Sequence, residues 1–92
     1  MIEVRGTNGE SLQFDGEYVR KFRHDGKEES AVNPVTTYRE TRVKAKKAKK
    51  HAEARYEVLV ACATIFSLTV PESEKPALDQ FVAALEATRG AS

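Results

Sequence analysis

The sequence predicts an α+β domain in which a curled antiparallel sheet is capped by one C-terminal helix. Two patterns favour this class. Short runs that alternate apolar and polar residues, separated by turn dipeptides, fill residues 1–26, and one amphipathic stripe follows near the end. A chain of 92 residues has room for one modest core, so we assign residues 1–92 to a single domain.

The N-terminal part of the chain predicts an antiparallel β-meander. Residues 2–5, 11–14 and 17–23 alternate as half-buried strands do. Asparagine, aspartate and glycine tolerate the positive φ angles that tight hairpin turns need. The predicted turns are Asn8-Gly9, Asp15-Gly16 and Asp25-Gly26.

The middle of the chain divides into a polar segment and a β-rich one. Residues 27–34, with the sequence KEESAVNP, predict a loop, and Pro34 biases Asn33 away from helix. The following stretch, VTTYRETRV, is rich in β-branched and aromatic residues. We therefore expect residues 35–43 to form a strand.

A lysine-rich segment follows this strand. Residues 42–55 carry 7 basic and 1 acidic side chains, for a formal charge of +6, whereas the whole chain carries only +1. The segment contains good helix formers but no large apolar stripe, so a helix here has little to bury. We therefore predict that residues 43–55 form an exposed basic excursion within the domain.

The C-terminal half supplies the most buried run and the capping helix. Residues 56–70 are β-rich but long for one strand, so we expect a bend near Ala63-Thr64. A helix begins near Ser73, a residue type that caps helix N-termini. Its apolar stripe recurs at helical spacing and consists of Leu78, Phe81, Val82 and Leu85.

The chain has few side chains that could act as a nucleophile, a catalytic base or a zinc ligand. The chain has one cysteine, Cys62, in an apolar stretch, and two separated histidines, His24 and His51. This set lacks the spacing of a zinc site or of a nucleophile with its base, so we predict neither a metal nor another cofactor. Without a predicted disulfide or an N-terminal leader pattern, we expect a cytoplasmic protein.

A set of turn and core residues stands out along most of the chain and consists of Gly6, Asn8, Gly9, Leu12, Phe14, Asp15, Gly16, Val19, Phe66, Leu68, Val70 and Phe81. This set resembles that of small bacterial pleckstrin-homology-like (PH-like) domains of unknown function. Lys21 departs from the pattern, which favours an apolar residue there, and the lysine-rich segment is an addition. The resemblance implies a curled antiparallel sheet with a helical cap and a binding or scaffolding role, but not phosphoinositide binding.

Two functions are open from the sequence. The first is a non-enzymatic interaction module that binds a protein partner or a second copy of itself. The alternative is binding of an anionic surface, with nucleic acid ahead of acidic lipid, through the basic segment. Its predicted contacts are Arg42, Lys44, Lys46, Lys47, Lys49, Lys50 and Arg55. A solvated charged segment that keeps the protein in solution is the plainest interpretation of the same lysines. An enzyme would require a second chain to complete its site.

Overall fold

Two antiparallel sheets and one C-terminal helix form the part of the protein that the structure describes. A computed structural model describes residues 1–46 and 54–90. The first sheet has the strand order β1-β2-β3-β4, the second has the order β5-β6-β7, and the two do not close into a barrel. The elements are β1 (Ile2–Arg5), β2 (Ser11–Phe14), β3 (Tyr18–Arg23), β4 (Glu28–Pro34), β5 (Glu40–Lys46), β6 (Arg55–Ala61), β7 (Ile65–Pro71) and α1 (Lys75–Gly90). The predicted α+β class, antiparallel strands and helical cap are confirmed.

The first two hairpins form at the predicted turn dipeptides. Gly9 and Gly16 have φ angles of 71° and 100°, a region that glycine enters without steric cost. The register places Val4 opposite Leu12, and both side chains are buried. Alternation along the short strands therefore turns one face of the first sheet toward the core.

Lys21 lies on this same inward face, opposite Leu12 and Ala31. Its side chain is only 13% exposed, and its Nζ lies 2.9 Å from Glu10 Oε2. The long alkyl stem can pack among apolar neighbours while the ammonium group reaches a carboxylate at the sheet margin. An ion pair thus occupies this inward-facing position in place of an apolar side chain.

The prediction of a loop at residues 27–34 is wrong. Residues Glu28–Pro34 form β4, which pairs with β3 and is the last strand of its sheet. All but Ala31 and Asn33 are exposed, so the strand has little apolar signal of its own. Backbone pairing with β3, and not side-chain burial, determines this strand.

The strand predicted at residues 35–43 begins five residues late. Val35–Thr37 form one turn of 3₁₀ helix, in which the Tyr38 N–H donates to the Val35 carbonyl at 2.9 Å. The Thr37 hydroxyl also donates to the Pro34 carbonyl at 2.7 Å. These local hydrogen bonds compete with extended pairing until β5 starts at Glu40.

The second sheet contains the bend that the sequence predicts. β6 ends at Ala61 and β7 begins at Ile65, and Cys62 N–H donates to the Thr64 carbonyl at 2.9 Å across the turn. The inward face of this hairpin buries Val58, Val60, Phe66, Leu68 and Val70. The long apolar run is therefore two paired strands.

The C-terminal helix buries the predicted stripe against both sheets. Leu78, Phe81 and Leu85 are at most 1% exposed, and Val82 is half-buried beside them. The Phe81 ring meets Phe14 edge to face, with 6.5 Å between ring centroids. None of the helices in residues 1–46 and 54–90 is long and apolar enough to cross a membrane.

Candidate interaction surface on the second sheet

Four of the seven predicted anion-binding residues lie in the described part of the chain. Arg42, Lys44 and Lys46 belong to β5, and Arg55 is the first residue of β6. Both ends of the segment predicted as an excursion, residues 43–55, therefore lie in paired strands. Lys47, Lys49 and Lys50 lie outside the described residues.

The strand register brings these four side chains to one face. In the register of the β5–β6 ladder, Lys44 lies directly opposite Glu57, and Lys46 lies directly opposite Arg55. Directly paired residues of an antiparallel ladder share a face, and alternate residues of a strand do so as well. The buried Val58 and Val60 occupy the opposite face, so the basic side chains are directed away from the core. We call Arg42, Lys44, Lys46 and Arg55 the basic face.

Carboxylates neutralise part of the basic face. Arg42 Nη2 lies 3.1 Å from Glu40 Oε1, and Lys46 Nζ lies 3.7 Å from Glu57 Oε1. Within the described ranges, Lys44 and Arg55 form no ion pair. Exposed pairs of this kind contribute little to stability and exchange readily for other partners. Among the described residues, the basic face therefore retains a positive excess, and two of its cations have no carboxylate partner.

Within residues 1–46 and 54–90, β5 is also an open sheet edge. It is the terminal strand of the second sheet, and six of its seven residues are exposed. Alternate N–H and C=O groups on the side of an edge strand away from its neighbour have no strand to pair with. Val43 belongs to the inward-facing set yet remains 43% exposed. The edge thus combines backbone donors and acceptors with one uncovered apolar side chain.

A shallow depression of about 440 Å³ adjoins this edge. Its wall mixes charges of both signs with small polar groups and leucine, and includes Arg42, Lys44, Glu57, Leu59, Ser67 and Thr69. Glu10, which is paired with Lys21, also reaches it. A depression with two cations and two carboxylates is not a uniform cradle for phosphate groups, whereas mixed polar and apolar contacts suit a peptide.

The remaining reactive groups lie apart from this surface. Burial raises the pKa of the Cys62 thiol, which is 4% exposed, and a buried neutral thiol is a poor nucleophile. His24 is exposed on the β3–β4 turn and lies 3.2 Å from Glu28. His51 lies outside the described residues. Among the residues placed by the structure, no three His, Cys, Asp or Glu side chains cluster as metal ligands do.

The sequence contained a signal for this face that composition alone hides. In RVKAK, residues 42–46, the basic residues recur at every second position, with Val43 and Ala45 between them. That spacing is typical of a strand with one charged face. Comparison of the chain with protein families, with curated proteins and with solved structures finds no match. The arrangement of β5 and its neighbours is therefore the basis for a functional proposal.

Proposed function

We propose that this chain is a non-enzymatic, PH-like interaction module that holds a protein strand along the β5 edge. The single observation that carries this proposal is the exposure of Glu40–Lys46 at the end of the second sheet. An extended peptide can add to such an edge by main-chain hydrogen bonds, and its side chains then supply specificity. The helical cap beneath antiparallel strands agrees with what the PH-like resemblance implies.

The residues that precede β5 suit this role because their hydrogen bonds to the second sheet and to the helix hold the strand in place. The Arg39 N–H donates to the Ala61 carbonyl at 2.8 Å, immediately before the strand. The Tyr38 hydroxyl donates to Glu86 of the helix at 2.7 Å. A strand held in one conformation before binding loses less conformational entropy when a partner docks.

Amide hydrogen exchange tests the proposal residue by residue. The outward N–H groups of β5 should exchange rapidly in the dilute protein and become protected when a strand docks. Two titrations cover the two kinds of occupant: raising the protein concentration for a second copy, and adding mixtures of extended peptides for a different protein. Edge amides that remain equally labile in both titrations would contradict the proposal, as would an enzymatic turnover abolished by one substitution.

Anion binding is the second candidate, and Lys44 and Arg55, which form no ion pair with another described residue, favour it. Stacking of bases has weak support, because Tyr38 is buried and Tyr56 is half-buried with Lys75 Nζ 5.4 Å from its ring centroid. The test is a titration with duplex and single-stranded DNA across salt concentrations. Phosphate contacts require affinity to fall with salt and with substitution of Lys46, Lys47, Lys49 and Lys50 by Gln. An affinity for DNA that is the same in the substituted protein as in the wild type would exclude this candidate function.

A further inference from the structure

We infer that the partner segment is an extended peptide in which acidic residues alternate with apolar ones. This inference rests on the proposed function, since it names the chemistry of the strand that pairs with β5. It follows from three properties of the same seven residues: the charge of one face, the apolar character of the other, and the free edge between them.

The charge of the partner follows from the spacing of the basic face. Arg42, Lys44 and Lys46 stand at every second position along β5, on the face directed away from the core. A strand added beside β5 places its own alternate residues directly opposite these three. Opposite charges favour such cross-strand pairs and like charges oppose them. Asp or Glu at every second position of the partner therefore matches the basic face best.

The intervening positions of the partner lie on the other face, beside Val43 and Ala45. Val43 is 43% exposed, and Ala45 is exposed as well. An apolar β-branched residue opposite Val43 covers this side chain and extends the apolar layer formed by Val58 and Leu68 in the same row. The partner sequence therefore alternates acidic and apolar residues, so that its acidic residues lie opposite the basic residues of β5 and its apolar residues lie beside Val43 and Ala45.

A second copy of β5 fits this pattern poorly. The strand carries Glu40 as its only acidic residue against three basic ones on the same face. Two such strands side by side bring six basic and two acidic side chains together. An acidic segment of another protein gives more opposite-charge pairs, so we commit to that occupant.

The experiment uses the full chain and short blocked peptides monitored by fluorescence anisotropy. The probe alternates glutamate and valine. One control peptide has the same composition with the glutamates and valines in two separate blocks, and another replaces glutamate with lysine. Two further probes carry N-methyl groups on the N–H groups of one edge or of the other. Only the alternating acidic peptide should bind, and N-methylation of one edge should abolish its binding while N-methylation of the other edge leaves it intact.

Variants of the protein locate the contact. The double variant Lys44→Gln with Lys46→Gln should lower the affinity for the alternating acidic peptide by roughly three- to tenfold, because two exposed cross-strand charge pairs are lost. The matched control is Arg23→Gln with Lys27→Gln, an equal charge change at two exposed residues, one at the end of β3 and one in the β3–β4 turn, and it should leave affinity unchanged. Circular dichroism of each variant separates loss of binding from loss of folding.

The outcomes distinguish the inference from the proposed function. If binding depends on N-methylation but not on glutamate, the edge binds strands while the acidic pattern is wrong. If no peptide binds and no β5 amide gains protection, both fail. If DNA binds in a salt-dependent manner and none of the peptides binds, the basic face binds phosphate groups and the inference is overturned.

Discussion

Asn33 and Thr64 join the two sheets through a pair of hydrogen bonds. The Asn33 side-chain amide donates to Thr64 Oγ1 at 2.8 Å, and the Thr64 backbone N–H donates to Asn33 Oδ1 at 3.2 Å. Asn33 is 5% exposed and lies on β4, whereas Thr64 lies in the turn between β6 and β7. One buried amide therefore sets where the end of the first sheet meets the second.

Replacing Asn33 by Ala should destabilise the fold. The substitution removes two hydrogen bonds to Thr64, an exposed residue whose polar groups water can reach, and should lower the free energy of unfolding by about 0.5–1.5 kcal/mol. Urea denaturation monitored by circular dichroism measures the change. Thr64→Ser keeps both polar groups and is the matched control, so equal losses from the two substitutions would show that the hydrogen bonds contribute nothing.

The hydroxyl of Tyr38 predicts a loss of stability at high pH. Burial, with donation to the Glu86 carboxylate, raises the pKa of Tyr38 to about 12. The unfolded chain releases this proton near pH 10, so the contribution to stability is complete below that pH and disappears as the pH rises toward 12. Tyr38→Phe should cost about 1 kcal/mol at neutral pH and reduce this alkaline decline.

Spectrophotometric titration of the tyrosines checks this prediction. The chain has three tyrosines, and Tyr38 should ionise last. Tyr18→Phe, at a side chain that is 40% exposed, provides the comparison and should leave the late ionisation in place. A late phase that persists in Tyr38→Phe would refute the assignment.

The second turn, Asp15-Gly16, predicts a loss of stability at low pH. Asp15 Oδ1 accepts the N–H groups of Glu17 and Tyr18 at 2.8 Å each, and these bonds, with Arg20 nearby, lower the pKa of Asp15 to about 2. In the unfolded chain the pKa is about 3.9. The carboxylate therefore stabilises the fold above pH 4, and the contribution is lost as the pH falls toward 2.

Titration of the side-chain carboxyl by NMR measures this pKa directly. Arg20→Gln removes a charged neighbour but leaves both backbone donors, so the pKa of Asp15 should remain below its ordinary value. Asp15→Asn should flatten the acid limb of the stability curve. A pKa near 3.9 in the folded wild-type protein would refute the prediction.

The pair formed by Lys21 and Glu10 predicts a non-additive result. Glu10→Gln alone leaves the Lys21 ammonium, 13% exposed, without its carboxylate, and should cost about 1–2 kcal/mol. Lys21→Met combined with Glu10→Gln replaces the pair by an apolar side chain and should restore stability to the wild-type level or above. Asp79→Asn breaks the exposed pair with Lys75 and should change stability by less than about 0.5 kcal/mol. Thermal denaturation of the wild type, Glu10→Gln, Lys21→Met and the double variant forms the cycle, with Asp79→Asn as the control. Additive losses would exclude the coupling.

Local signals were sufficient for the turns and the helix, because Asn8-Gly9, Asp15-Gly16 and the Leu78 stripe fix conformation through their immediate neighbours. They were insufficient for β4 and for the start of β5. An exposed edge strand such as Glu28–Pro34 has little apolar alternation, and its pairing with β3 is a long-range property. The candidate surface is similar: alternation along residues 42–46 predicts a shared face for Arg42, Lys44 and Lys46, but the place of Arg55 beside Lys46 depends on the register between β5 and β6.

The isolation of Cys62 has a practical consequence. It is the one cysteine of the chain, it lies in the core, and burial raises the pKa of its thiol. A disulfide reagent should therefore modify the native protein only as fast as the interior opens, so its rate of reaction reports that opening. A cysteine introduced at Lys44, whose side chain is exposed, should accept a spectroscopic label long before Cys62 does. The wild-type background is thus already suited to placing probes along the β5 edge.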